Sequence, residues 1–242
     1  MALIDLANPH RFLALARWLV PAFALLAAAL LAVGLALGFR APGDYQQGET
    51  VRIMYVHVPA AWLALGIYVL MSISALGTLV WRHPLADVAA KAAAPIGAAF
   101  CLICLLTGAL WGRPMWGAYW VWDARLTSML VLLLLYLGII ALWHAIEDPG
   151  QAGRAVAILT LVGVINIPIV KFSVDWWNTL HQPAAVFRLD GPTIHPALLT
   201  PLLVCALGFA ALFLALHLAA MRNEIMRRRV RTMRILAAAE TR

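Results

Sequence analysis

At 242 residues, with 64% of them hydrophobic, 12% charged and a mean hydropathy of +0.88, the chain is too apolar for a water-soluble domain, whose charged share is ~25%. The formal charge of +7 would suit nucleic acid, but Arg222, Arg227, Arg228, Arg229, Arg231 and Arg234 crowd the C-terminal tail, the pattern of a membrane anchor beside lipid and not of a nucleic-acid groove. One all-α integral membrane domain over residues 1–242 is expected, with no separate soluble unit.

A helical span needs roughly 20 apolar residues. Runs of that kind fall at 18–38, 58–80, 93–111, 126–145, 155–173 and 198–220, followed by a basic tail over 221–242. Turn-forming clusters separate them: Ala41-Pro42-Gly43-Asp44, Arg82-His83-Pro84 and Glu147-Asp148-Pro149-Gly150. The first run lacks a small-residue cleavage site before a polar stretch and reads as a retained span. Gly34 and Gly38 form a GxxxG spacing that allows close helix approach. Cys101, Cys104 and Cys205 lie inside apolar runs and are expected to be structural thiols, because a redox CxxC needs an accessible, electropositive setting.

Six spans put both termini on one side. That side carries twelve basic residues, namely Arg11, Arg17, Arg82, Lys91, Arg154 and seven in the tail; the other carries six, namely Arg40, Arg52, Arg113, Arg125, Lys171 and Arg188. Basic residues accumulate in cytoplasmic loops, so the termini are expected to be cytoplasmic and the loops near 39–57, 112–125 and 174–197 periplasmic. The tail alone decides this bias.

Parity then gives a site. His57 and His181 are separated by four spans, and an even number returns the chain to the same face. Between them, also on that face, lies Trp111-Gly112-Arg113-Pro114-Met115-Trp116-Gly117-Ala118-Tyr119-Trp120-Val121-Trp122-Asp123-Ala124-Arg125. Tryptophans at a membrane edge are ordinarily an interfacial belt. Here six of the ten, Trp111, Trp116, Trp120, Trp122, Trp176 and Trp177, gather at one edge, against Trp18, Trp81 and Trp143 at the other. If the segment is helical, Trp116, Tyr119, Trp120 and Asp123 share a face and form an apolar platform for a planar ligand.

A lone membrane histidine is more often a packing residue than a ligand. Two histidines beside an aromatic platform favour a bis-imidazole grip on heme iron. His57 would then stand just before a second helix begun at Pro59, and Pro183 would keep His181 in an irregular segment. Arg52 and Arg125 are candidate partners for the two propionates, or else anchors on lipid phosphate. Asp123 would orient either Arg125 or a ring nitrogen. His195, at the start of the last span, could replace either ligand, whereas His10, His83, His144 and His217 read as structural or surface residues.

The string from Trp116 to Thr127, with Trp116, Gly117, Trp120, Trp122, Asp123 and Arg125 in place, resembles the WWD signature of heme-handling proteins in cytochrome c biogenesis. Tyr55-Val56-His57-Val58-Pro59-Ala60-Ala61 and Trp176-Trp177-Asn178-Thr179-Leu180-His181-Gln182 resemble the flanking histidine segments of the CcmC family. The likeness covers nearly the whole chain and is weakest over 183–197 and the tail. It implies a six-helix membrane bundle of the bacterial inner membrane, with a periplasmic tryptophan-rich segment between the third and fourth helices. It also implies a non-covalently held b-type heme with His57 and His181 as axial ligands. The implied partners are the heme chaperone CcmE and the subunits CcmA, CcmB and CcmD of an ABC-type complex, with no enzymatic step of its own. The rival reading is a membrane b-type cytochrome in quinol-linked electron transfer, which would need histidine pairs at two depths. A passive transporter ranks lower, because no span carries a polar line through the bilayer.

Overall fold

A computed structural model describes residues 8–177 and 179–240. The expected extent 1–242 and Asn178 of the second histidine segment therefore fall partly outside the described residues. Seven helices follow in order: α1 (Pro9–Arg40), α2 (Met54–Leu79, entered through a 3-10 turn at Glu49–Ile53), α3 (Ala86–Trp116), α4 (Ala124–Ala145), α5 (Pro149–Gly163), α6 (Asn166–Trp176) and α7 (Pro196–Glu240). Taken as Glu49–Leu79 and Pro149–Trp176, the 3-10 turn with α2 and α5 with α6 complete six stretches long and apolar enough to cross a bilayer.

Local chemistry sets the helix ends. The side chain of Asn8 accepts from His10 N–H at 2.9 Å and Asp148 from Gln151 N–H at 2.7 Å, each followed by a proline whose missing N–H costs nothing at the first helical position. Gly117, at φ 76°, ends α3 in the left-handed region that glycine enters without strain. The helices overrun the expected spans because hydropathy marks only the part in hydrocarbon. α1, at 32 residues, is about 48 Å long against a core of ~30 Å.

Two expectations are corrected. The fifth span is not one helix: it breaks at Val164 and Ile165, since Pro168 has no N–H to give the Val164 carbonyl and its ring crowds that oxygen. The buried Asn166 side chain steadies the restart by donating to the Ser128 carbonyl at 2.9 Å. The second helix begins at Met54 and not at Pro59, so His57 stands in its first turn. Pro59 lies close enough to the helix start to be carried inside it.

Small residues let the bundle close. α1 packs chiefly on α7, and the GxxxG pair lies at that contact and beside α2. A Cβ on Gly34 would come within 2.7 Å of the Cys205 sulfur and 2.9 Å of its backbone nitrogen, and one on Gly38 within 2.5 Å of the Tyr55 ring. At the centre, Tyr68 and Tyr136 meet edge to face at 5.3 Å, and the Tyr136 hydroxyl donates to the Ala64 carbonyl at 2.7 Å. All three cysteines are buried free thiols, as expected, with the Cys101 sulfur 3.4 Å from the Met129 carbonyl.

The end of the bundle that holds the start of α1 and the later turns of α7 carries an ion cluster. Glu224 lies 2.8 Å from Lys91 and 3.0 Å from Arg228, which also reaches Asp87 at 2.7 Å. The tail is thus a continuation of α7 stapled to α3, with Arg228 engaged by acids of the protein. Trp143, expected at the lipid edge, is buried beneath the Lys91 ammonium at 4.9 Å.

Gly34→Val should destabilise the bundle by about 1–3 kcal/mol, the usual cost of overpacking, because the Cys205 backbone cannot withdraw. Gly138→Ala, whose Cβ would meet only Leu159 at 3.9 Å, should be neutral or slightly stabilising. Thermal unfolding in detergent compares the two; an equal midpoint for both would remove the α1–α7 contact from the account.

Candidate functional site

The N-terminal turn of α2, the C-terminal turns of α3 and α6, the start of α4 and the segment before α7 all lie at one end of the bundle. There the structure brings together His57, His181, Trp116, Trp120, Asp123 and Arg125. His57 lies within electrostatic reach of both His181 and Arg125. The parity expectation is met.

His57 is held from α3. Its Nδ1 is 3.0 Å from the Thr107 hydroxyl oxygen, and that hydroxyl donates to the Ile103 carbonyl at 2.6 Å. With the hydroxyl proton directed to Ile103, the oxygen accepts from Nδ1–H, which leaves Nε2 of the ring with a free lone pair. Gly108 makes room for the ring, since a Cβ there would stand 3.0 Å from His57 Cε1. Trp111 meets the same ring edge to face at 5.6 Å and donates from Nε1 to the Gln47 side chain at 2.9 Å, tying in the loop after α1.

His181 is held from α4. Its Nδ1 donates to Asp123 Oδ2 at 2.9 Å, and the side chains are only 18% and 6% exposed. Asp123 Oδ1 accepts from Leu126 N–H at 2.8 Å and so caps α4. One carboxylate therefore starts a helix and fixes an imidazole with its Nε2 free. Of the two roles considered for Asp123, the structure selects the ring nitrogen. Trp116 packs edge to face on His181 at 4.7 Å.

The helical platform is corrected. Residues 117–123 are irregular: Gly117 closes α3, Asp123 caps α4, and the aromatic rings between them do not share a helix face. Trp116 reaches the site from α3. Trp120 is half-buried against the main core with its Nε1 buried and unpartnered. Trp122 stands 75% exposed, edge to face with Trp120 at 5.4 Å, and Tyr119 is also exposed, beneath the Arg113 guanidinium at 5.7 Å. Arg113 also donates to the Gly117 carbonyl, bracing the turn.

The two arginines differ. Arg52 is paired with Glu49 at 2.6 Å and reaches the Ala41 carbonyl at 3.4 Å. Arg125 hydrogen-bonds the Ser173 hydroxyl at 3.2 Å and the Lys171 carbonyl at 3.3 Å and forms no ion pair among the described residues. His195 stands exposed at the start of α7, its Nδ1 accepting from Ala197 N–H at 3.2 Å. His10, His83 and His144 are exposed, and His217 is buried and stacked on Phe213 at 5.2 Å, so these four form no second pair. Among the described residues there is no cluster of three or more His, Cys, Asp or Glu side chains placed to hold a metal.

Thr107, Gly108 and Ser173 went unseen in the sequence. Thr107 and Gly108 lie in the apolar third run with no motif of their own. A helical projection aligning Thr107 with Trp111 four residues on was the available signal.

A family model described as heme exporter protein C matches residues 2–236. The chain belongs to the CcmC family. It is 64% identical over 239 residues to heme exporter protein C of Bradyrhizobium diazoefficiens, covering 99% of this chain and 91% of that one. It is 50% identical to the protein of that name from Escherichia coli K12, over 92% and 90% of the two chains, and 44% identical to that of Paracoccus denitrificans, over 95% and 96%. For this CcmC-family chain, the match spans both histidine seats and the tryptophan-rich segment.

Burial holds the His181 imidazole below its ordinary range, while the hydrogen bond and charge of Asp123 oppose that depression. Since the native pKa lies below the unfolded value of ~6.5, the contribution of a neutral His181 to stability is present above that pH and is lost as pH falls through the native value. Asp123→Asn keeps a capping oxygen but removes the charge, so the His181 pKa should fall further. NMR titration of labelled histidine in the ligand-free protein measures this; an unchanged midpoint would mean that the carboxylate does not govern the ring.

Proposed function

We propose that this chain is a heme-handling component of cytochrome c maturation, a carrier and not an enzyme, which takes heme as its cargo at the end of the bundle that bears His57 and His181. The observation that carries this reading is the pair of imidazoles at one end of the bundle, each with Nδ1 engaged by a neighbour and Nε2 left to donate a lone pair. The donor chemistry fits a six-coordinate b-type iron held without covalent attachment.

Other residues suit the cargo. Gly108 keeps a Cβ out of the space beside His57, and Trp120 Nε1 is a buried donor lacking a protein partner. Trp116 and Trp120 supply apolar surface, with Gly117 turning the chain between them; exposed Trp122 is open to an incoming protein. Arg125 is the favoured cation for a propionate, and Arg52 would have to leave or share Glu49 to serve the other. Bound heme would offer a reactive vinyl edge for covalent capture. The contribution of this chain is positioning, which holds two reactants at high effective concentration.

In this reading the receiver is the heme chaperone CcmE, with CcmA, CcmB and CcmD as further subunits of the export complex and membrane lipid around the bundle; no nucleic acid is involved. The site faces the periplasm of the bacterial inner membrane and both termini are cytoplasmic, as the twelve-to-six distribution of basic residues favours. The whole chain acts as a single membrane domain.

Absorption spectra of the purified protein test the assignment. His57→Ala and His181→Ala should each lose the low-spin bis-imidazole bands or the heme itself, and Thr107→Val should shift those bands where Thr107→Ser leaves them in place. Wild-type spectra from both histidine variants would refute the ligand pair.

A further inference from the structure

At the opposite end of the bundle from the histidine pair, the structure forms a cavity of about 360 Å³ between the α2–α3 loop, the first turn of α3 and the start of α5. Arg82 and His83 line it from the loop, Arg154 from α5, and Gly150 and Gly153 leave its floor without side chains. Three cation-capable groups thus face one space at a membrane edge.

The cavity keeps its positive character because its acid is occupied. Asp87 accepts from Arg228 at 2.7 Å through Oδ2 and from the Val88 N–H at 2.8 Å through Oδ1. Lys91 and Arg228, one turn away, are neutralised by Glu224 and Asp87. Arg82 and Arg154 form no ion pair or side-chain hydrogen bond among the described residues, and neither has an interaction left unaccounted for. His83 Nδ1 accepts from Leu85 N–H at 3.3 Å, so its Nε2 carries the ring proton and can donate. Arg82 is the one described non-glycine residue at positive φ, 48°. That conformation is uncommon for such a side chain and directs attention to the loop.

Apolar surface continues from these cations toward the bilayer centre. On α5, Ile158 and Val162 follow Arg154 at intervals of four residues, on the same face, and are 57% and 61% exposed. α2, which lines the cavity through Thr78 and Leu79, packs beside α5. A charged head above an exposed apolar row matches one class of molecule.

We propose that this cavity is a binding site for the phosphate of an anionic phospholipid, gripped by Arg82, His83 and Arg154, with its acyl chains along the exposed face of α5. Arginine grips phosphate through its planar fork, and basic pockets between membrane helices suit such headgroups. The site holds the α2–α3 loop to α5 and stands apart from the histidine pair, so it does not depend on the heme reading.

Native mass spectrometry of the full-length, delipidated protein in detergent tests this with three probes: dioleoyl phosphatidylglycerol, dioleoyl phosphatidylcholine and inorganic phosphate. Phosphatidylglycerol should bind wild type most tightly, and Arg82→Gln with Arg154→Gln should weaken it roughly 30-fold, the loss expected for two cations at a lipid surface. Arg82→Lys with Arg154→Lys should retain most of the binding, with the elution volume of each variant reporting folding. Arg154→Gln alone leaves the strained loop residue in place and should still lose several-fold. Equal affinity of wild type and the glutamine variants for phosphatidylglycerol would overturn the site. Equal binding of phosphatidylcholine would overturn its charge selectivity, and binding of phosphate as tight as that of the lipid would overturn the lipid assignment in favour of a soluble anion.

Discussion

The carboxylate of Asp123 joins the fold to the site. One oxygen satisfies the Leu126 N–H at the start of α4, and the other takes the Nδ1 proton of His181, 58 residues further along the chain. A helix start leaves backbone donors without partners, and a charged cap satisfies them while matching the positive end of the helix dipole. The same charge, turned toward the imidazole, fixes its tautomer. Were the cap lost, the beginning of α4 and the orientation of the ring would loosen together, and Arg125, two residues on, would shift from Ser173.

The two histidines are seated differently. His57 belongs to a helix and is braced by Thr107, a neutral hydroxyl on the neighbouring helix. His181 belongs to an irregular segment and is held by a carboxylate and by the ring of Trp116. A carboxylate partner raises the basicity of an imidazole more than a hydroxyl does. The two imidazoles are therefore unequal in basicity, one backed by a carboxylate and the other by a hydroxyl.

Charge is divided between the two ends. At the histidine end, Arg125 is held by a hydroxyl and a carbonyl, and buried Trp120 presents an unpaired donor. At the other end, Lys91, Arg228, Asp87 and Glu224 neutralise one another and tie the long α7 to α3, while Arg82 and Arg154 remain open. The apolar middle separates these regions, with Tyr68 and Tyr136 meeting edge to face among buried small residues. That division follows from the cost of polar groups in hydrocarbon, which confines unsatisfied charge to the bundle's edges.

By itself the sequence determined the span count, the shared face of His57 and His181, the GxxxG contact and the burial of the cysteines, because hydropathy and parity are properties of the chain's order. The resemblance of the tryptophan-rich string singled out Trp116, Trp120, Asp123 and Arg125. Tertiary structure alone decided that residues 117–123 are not helical, since the left-handed Gly117 and the cap at Asp123 compete with the helical periodicity that the aromatic spacing suggests. Pro168 sets the break between α5 and α6 locally, but only tertiary structure supplies the Ser128 carbonyl, on another helix, to which the Asn166 side chain donates. Thr107, Gly108 and Ser173 became visible only in three dimensions, because a hydroxyl or a missing Cβ acquires its role from what is packed against it.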